Sequence, residues 1–146
     1  MAKDLVIISK SFYQLNNKFN DVIYKGLEDM TDDLLRVATE RAPVKTQTLE
    51  QSGTSKLSRS GTVYTGQVSF RARRKGYNYA VKMDQGKYKL GDKSLQKSGR
   101  GVRSIFTNQT LKVGTGYLTD TANKCEDGYK EYLQSKLNNE IKKLES

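Results

Sequence analysis

One proline governs how this chain can fold. It is Pro43, the only proline among 146 residues, and it stands directly behind a long run of helix-period sequence. Upstream of it, apolar side chains fall at Phe12, Leu15, Phe19, Val22/Ile23, Leu27, Met30, Leu34 and Val37/Ala38. Steps of three and four draw a single stripe along an α-helix. Pro43 has no N–H, and its ring biases Ala42 away from helical dihedrals, so the helix ends by Ala42. At 1.5 Å per residue a helix from Phe12 to Ala42 measures about 45 Å, more than a domain of this size covers. A bend near Gly26 or Thr31, or a neighbouring subunit, must take up the excess. Two arrangements fit: one kinked helix, or two helices with Asp32/Asp33 capping the second. The preceding "DLVIIS" suits a short strand, an arm or a first helical turn.

Beyond Pro43, "VKTQTLEQSGTSKLS" reads as an extended connector into a strand, with Pro43, Thr46 and Leu49 forming the turn from helix to sheet. "GTVYTGQVSFRARR" then places Tyr64, Val68, Phe70 and Ala72 on one side of a strand, interrupted by Gly66, which reads as a bulge. "SRSGT" supplies a hairpin turn before it. "YNYAVKM", Tyr77 to Met83, reads as a second strand, and "SIFTNQTLKVGTG" holds one more short one. Leu118, Ala122, Cys125, Tyr129, Leu133, Leu137, Ile141 and Leu144 repeat at helical spacing. Thr119 or Asp120 serves as the cap of that helix, and Lys142 and Lys143 suit its C-terminal dipole. This order predicts one α+β domain over residues 1–146: a long N-terminal helix, a small antiparallel sheet of three or four strands with a long basic loop, and a C-terminal helix, both helices on one sheet face.

Charge is distributed as unevenly as the apolar pattern. The net charge is +10, yet residues 56–103 hold 13 Lys/Arg against 2 Asp/Glu, while the flanks on either side are balanced. Local excess of this kind points to a local electrostatic task. Residues 84–103, "DQGKYKLGDKSLQKSGRGVR", are rich in glycine and lysine without steady periodicity and read as a flexible basic loop. Candidate contact residues are Lys87, Lys89, Lys93, Lys97, Arg100 and Arg103 of the loop, with Arg71, Arg73, Arg74 and Lys75 just before it. Interleaved with Tyr77, Tyr79 and Tyr88, these can follow a phosphate backbone and release its counterions. They can equally meet an acidic protein surface, and the helix face bearing Asp29, Asp32, Asp33 and Glu40 in an adjacent copy is one such surface. No base-reading element is apparent, so sequence-specific DNA binding is not expected.

Chemistry is narrowed by what the sequence omits. It has no histidine and a single cysteine, so the usual zinc sites and Ser-His or Cys-His nucleophiles cannot be assembled within it. There is no phosphate-binding GxxxxGK[ST] and no strand-linked GxGxxG. The expectation is therefore no enzyme, no cofactor and no metal. Cys125 lies on the apolar stripe of the last helix and reads as a small buried hydrophobe. No apolar window is long enough to span a bilayer, so a soluble chain made in a cytoplasm, with no membrane partner, is expected. Apolar residues make up 35% of the chain against 29% charged, a thin core for a monomer, which suggests that copies of the chain complete one another's burial.

"ATERAPVKTQTLEQS", Ala38 to Ser52, resembles the signature of the neck or tail-completion proteins of long-tailed bacteriophages. In that family a helix ends in alanine-proline-valine, followed by threonine-glycine, then leucine and a polar-serine step into the first strand. Ala42, Pro43, Val44, Thr46, Leu49 and Ser52 match, whereas Gln47 stands where glycine is usual and Thr48 keeps the spacing to Leu49. "NYAVKMDQG", Asn78 to Gly86, is similar to the family's tyrosine-alanine strand ending in an acidic residue and glycine, with Asp84 replacing the usual glutamate. "GYLTDTANKCEDGYKEYLQSKL" resembles its closing segment. The three stretches follow the family's order over most of the chain. The resemblance implies a non-enzymatic virion protein of the head–tail junction, made in the host cytoplasm and built into the particle. It further implies a homo-oligomeric ring, hexameric or dodecameric, joining connector to tail, with portal-side connector proteins and the tail tube or terminator as neighbours. The basic residues would then lie near passing double-stranded DNA or against an adjacent ring. Two other readings fit the same residues: a tail terminator capping the tail tube, and a basic non-specific nucleic-acid-binding module.

Overall fold

The computed structural model describes residues 6–13, 20–44, 48–61, 63–74, 77–97 and 101–145. Along the chain lie β1 (Val6–Tyr13), α1 (Asn20–Arg41), α2 (Thr48–Gln51), β2 (Thr54–Ser60), β3 (Val63–Phe70), β4 (Arg73–Arg74), β5 (Tyr77–Asn78), α3 (Tyr79–Gln85), α4 (Asp92–Lys97), β6 (Val102–Arg103), β7 (Thr110–Leu111) and α5 (Thr119–Glu145). The class is mixed α+β. β1, β3 and β2 form one three-stranded antiparallel sheet in that order, as expected in number, while β4–β5 and β6–β7 are separate two-stranded pairs outside it.

The N-terminal helix is shorter than its apolar stripe. Phe12 belongs to β1, which pairs with β3 from Val6↔Phe70 to Tyr13↔Val63 without a break. The segment VIISKSFY is rich in β-branched and aromatic residues, which favour a pleated surface; Phe12 joins the helical spacing by coincidence. Leu15 and Phe19 lie outside the described residues. What remains is one continuous helix of 22 residues, about 33 Å long, so neither a second helix nor a bend at Gly26 or Thr31 is needed. It ends at Arg41, directly before the Ala42–Pro43 pair, as the proline requires. The connector beyond contains α2, whose Leu49 is buried; Thr46 lies outside the described residues.

The helix lies on β3 and runs in the same direction. Tyr24 meets the Tyr64 ring edge-on at 6.5 Å between centroids, Leu27 and Thr31 face Gly66, and Leu35 and Phe70 close around Gly53. Gly66 is not a bulge, because the ladder is in register through it on both sides. It is glycine because a Cβ there would collide with Thr31 Oγ1 and the Leu27 side chain. Even-numbered β3 residues Tyr64, Val68 and Phe70 point into the core, together with Ile23, Leu27, Met30, Leu34, Val37 and Ala38 of α1. Burial of each large apolar side chain contributes roughly 1.5–3 kcal/mol.

The C-terminal helix packs antiparallel along α1. Leu133 abuts Gly26, the Tyr132 hydroxyl donates to Asp29 at 2.6 Å, and the Tyr129 hydroxyl donates to Asp33 at 2.7 Å. At the far end Arg41 reaches Thr121. Its first turn is not capped by Thr119 or Asp120. Asp84, arriving from α3, accepts the N–H groups of Leu118 and Thr119 through one carboxylate oxygen, each at 3.0 Å, and Asp120 pairs with Arg41 instead.

The stretch expected as a strand from Tyr77 to Met83 is mostly helix, with only Tyr77 and Asn78 paired, to Arg74 and Arg73. Tyr79 and Ala80 are consecutive buried residues and Asp84 is buried four positions after Ala80; a strand with one solvated face cannot bury neighbours, whereas one side of a helix can. The basic stretch 84–103 is likewise only partly a loop. It contains α4, which is held against the Pro43 corner by Ser94, whose hydroxyl accepts the Val44 N–H at 2.8 Å.

Candidate functional site

α1 and β3 end, and α5 begins, at the same end of the molecule, and Lys89 lines a pocket there beside Pro43. Arg41 organises this end. Its side chain is buried, donating from Nε to the Lys112 carbonyl at 2.6 Å and from one terminal nitrogen to Thr121 Oγ1 at 2.7 Å and the Gly116 carbonyl at 3.2 Å. The same nitrogen lies 3.1 Å from Asp120 Oδ2. Gly116 turns with φ +80°, a left-handed value suited to glycine, which aims its carbonyl at Arg41 and its N–H at the Asp84 carbonyl.

Around this core the candidate cations separate into groups. Lys87, Lys89 and Lys93 are exposed, as are Arg71 and Arg103, and among the described residues none of their side chains has a hydrogen bond or ion pair. Lys97 is different. Its ammonium donates to the carbonyls of Thr39 and Ala42, at 3.0 and 2.8 Å, and lies 3.4 Å from Glu50, so it closes the C-terminus of α1 and ties α4 to α2. Burial lowers its pKa from the ordinary lysine value, with the Glu50 carboxylate opposing that effect. Arg73 is exposed but engaged. Arg74 takes part in the β4–β5 pair through its backbone, while Lys75 and Arg100 lie outside the described residues. Lys112, which the charge pattern did not single out, is exposed on the strand end that Arg41 grips.

The tyrosines do not form a stacking platform. Tyr79 is buried in the core, and the Tyr88 hydroxyl donates to the Met83 carbonyl at 2.6 Å. These two rings instead line, with Pro43, Val44, Met83, Lys89, Leu90, Gly91 and Ser94, a pocket of about 260 Å³ between the Pro43 corner, α3 and α4. This end of the molecule can therefore hold an anionic or apolar group, and among the described residues its tyrosines offer no stacked platform for bases.

The acidic face expected on α1 is largely engaged within the molecule, with Asp33 buried and Asp29 half-buried, while Asp32 and Glu40 are exposed. Asp33 is 3% exposed and accepts the Ser104 hydroxyl at 2.6 Å, the Ile105 N–H at 2.9 Å and the Tyr129 hydroxyl. Asp29 takes the Tyr132 hydroxyl and Glu40 pairs with Arg36 at 2.8 Å. Only Asp32 remains exposed and unengaged on that face. Because Asp33 fixes the β6–β7 loop to α1, Ile105 is held 69% exposed, more than any other large apolar side chain among the described residues. Next to it Phe106 stacks on Tyr132 with ring centroids 4.5 Å apart.

Cys125 is buried, its sulfur accepting from Thr107 at 3.7 Å, and burial pushes its thiol pKa up; it is unsuited to act as a nucleophile. Among the described residues, no group of three or more Cys, Asp or Glu converges as metal ligands would. No helix among them is long and apolar enough to cross a membrane. Comparison of the chain with protein-family models, with curated proteins and with solved structures gives no match.

Proposed function

We propose that this protein is a non-enzymatic structural subunit of the head–tail junction of a long-tailed bacteriophage, a neck or tail-completion protein that works as a homo-oligomeric ring between connector and tail. What supports the reading is where the three resembling stretches meet. Ala42, Pro43 and Leu49, then Tyr79, Ala80 and Asp84, then Tyr117, Leu118 and Ala122 are all buried. The second and third interlock directly: the Tyr117 hydroxyl donates to the Ala80 carbonyl at 3.0 Å, and Asp84 caps α5 at Leu118 and Thr119. These contacts fix α3 against the start of α5, and Arg41, just before the first stretch, ties the end of α1 to the same turn through Thr121 and Asp120. In the ring both helices would occupy one face of the sheet, the free cations would face a neighbouring ring or passing DNA, and the protein would reside in the virion.

The test is a null allele in the parent phage genome, read by electron microscopy. Filled heads and separate, normal-length tails that fail to join are the expected result. Overlong tails would favour a terminator instead, since loss of a cap lets the tube keep growing. Normal joined particles would refute both. The unengaged Lys87, Lys89, Lys93, Arg71 and Arg103 favour a second reading as a non-specific nucleic-acid-binding module. That reading requires the free subunit to bind duplex DNA with an affinity that falls steeply with salt.

A further inference from the structure

An isoleucine held rigidly in water calls for an explanation. Ile105 is fixed at its own N–H by Asp33, and its neighbour Ser104 is held twice, to Asp33 by its hydroxyl and to the Gln109 carbonyl by its N–H. Thr107 of the same loop rests against Gly128, where a Cβ would come within 2.7 Å of the threonine side chain, and donates to Cys125. A loop braced at so many points has already lost the freedom that binding would otherwise remove. Beside Ile105 opens a cleft of about 480 Å³ whose walls include Phe106, Tyr132, Asp127 and Glu131. Both carboxylates are exposed, and among the described residues neither has an ion-pair partner.

The other end of the molecule offers the counterpart. The pocket at the Pro43 corner is walled by Pro43, Val44, Tyr79, Met83 and Leu90, has Lys89 in its lining, and is flanked by exposed, unpaired Lys87 and Lys93. One surface therefore presents an apolar knob beside two free carboxylates, and the other an apolar hole beside three free ammonium groups. They are different patches of one chain: the knob lies midway along α1 at Asp33, the hole beyond its C-terminus.

We propose that successive copies of this chain join head to tail, Ile105 of one copy entering the Pro43-corner pocket of the next while Asp127 and Glu131 meet Lys87, Lys89 and Lys93. This rests on the ring reading above and names the two faces that close it. A contact between unlike patches is heterologous; it makes a ring when its rotation closes and an open filament when it does not, so a ring requires a closing rotation here. The charge frame sets partner and register, and the buried knob supplies much of the affinity.

The experiment uses the full chain, measured by sedimentation velocity at low and at 0.5 M salt, with circular dichroism of every variant. All substituted side chains are exposed, so native spectra are expected throughout. Wild-type protein should form a discrete oligomer that loosens with salt. Ile105→Ala should weaken association roughly tenfold or more. Asp127→Lys/Glu131→Lys should dissociate it, as should Lys87→Glu/Lys89→Glu/Lys93→Glu, and the chain carrying all five reversals should assemble again. If wild type oligomerises while these variants assemble unchanged, or if the five-fold reversal fails to restore assembly, this pairing is wrong and the ring uses other faces. A wild-type chain that stays monomeric at every concentration would refute the ring itself.

Discussion

Asp33 offers the sharpest test of how this fold is held. Its carboxylate sits almost wholly out of water and receives three close donors, from Ser104, Ile105 and Tyr129, with Arg36 at 3.3 Å. Bonds to an ionised acceptor are worth about 1.5–3 kcal/mol each. Simple addition overshoots, because Ile105 is solvent-exposed and water can reach part of the gap that truncation leaves. For Asp33→Ala we expect a loss of about 3–5 kcal/mol, the range for removing one member of a buried charged network. Asp33→Asn keeps the volume and one acceptor for the Ile105 N–H, but its NH2 then faces two hydroxyls that had been donating, and about 2 kcal/mol should be lost. Adding Tyr129→Phe to Asp33→Ala removes one stranded donor and should recover about 1 kcal/mol, a coupling visible in a double-mutant cycle. Urea denaturation followed by far-ultraviolet circular dichroism gives these values, and hydrogen exchange at the Ile105 amide reports whether the β6–β7 loop is released. Stability of Asp33→Ala within about 1 kcal/mol of wild type, with the Ile105 amide still protected, would refute the network.

Three further outcomes follow from particular contacts. Gly66→Ala should cost about 1–3 kcal/mol in urea denaturation through overpacking, and Thr31→Ala should relieve much of it by removing the hydroxyl that the new methyl would strike; equal costs in both backgrounds would contradict the close approach. Tyr88, Tyr117, Tyr129 and Tyr132 all have raised pKa values, chiefly through burial, that of Tyr132 reaching about 12 with help from Asp29. Their folded values exceed the unfolded value near 10, so the stability they confer is complete below about pH 10 and is lost as pH rises through the folded values. Absorbance at 295 nm should show these tyrosinates appearing late, together with unfolding, and nine tyrosines titrating as one class near 10 in the native state would overturn this. Finally, Lys87→Gln/Lys89→Gln/Lys93→Gln should leave the urea midpoint unchanged or slightly raised, since exposed charges without partners contribute little to stability and repel one another; a loss above about 1 kcal/mol would mean that they are structural.

Elements whose signal is local could be read from the sequence. The stop at Pro43, the turn at Gly61 with φ +58° and the last helix each rest on backbone chemistry or on a long period. The errors lie where a tertiary contact outweighed a local pattern. Phe12 fits a helical stripe as well as a strand, and only its neighbours in VIISKSFY and the eight-residue ladder with β3 decide between them. Gly66 resembles a bulge in sequence, and Thr31, which makes glycine necessary there, stands far away along the chain. Asp33 and Asp29 look like a solvated acidic face because their partners, Ser104, Tyr129 and Tyr132, arrive from elements about seventy to a hundred residues later. Asp84 was visible within a resembling stretch, but its role as the cap of α5 requires knowing that α3 ends beside that helix.

The candidate cations show most clearly how function and structure divide within one charge pattern. A run of lysines and arginines gives no indication of which members are engaged, yet the fold separates them by what each can reach. Lys97 can reach the carbonyls that α1 leaves unsatisfied at its end, together with a carboxylate on α2, so it is consumed by the structure. Lys87, Lys89 and Lys93 lie only a few residues away and can reach neither, because the chain around the pocket keeps them outward. Concentrating like charge at one end raises the self-repulsion of an isolated chain, and among the described residues none of these three lysines has an ion-pair partner. An opposite charge brought from outside would offset that repulsion. The pocket beside those lysines is apolar, so a partner that pairs a carboxylate with an exposed aliphatic side chain satisfies both features at once, and the Ile105 surface carries that combination.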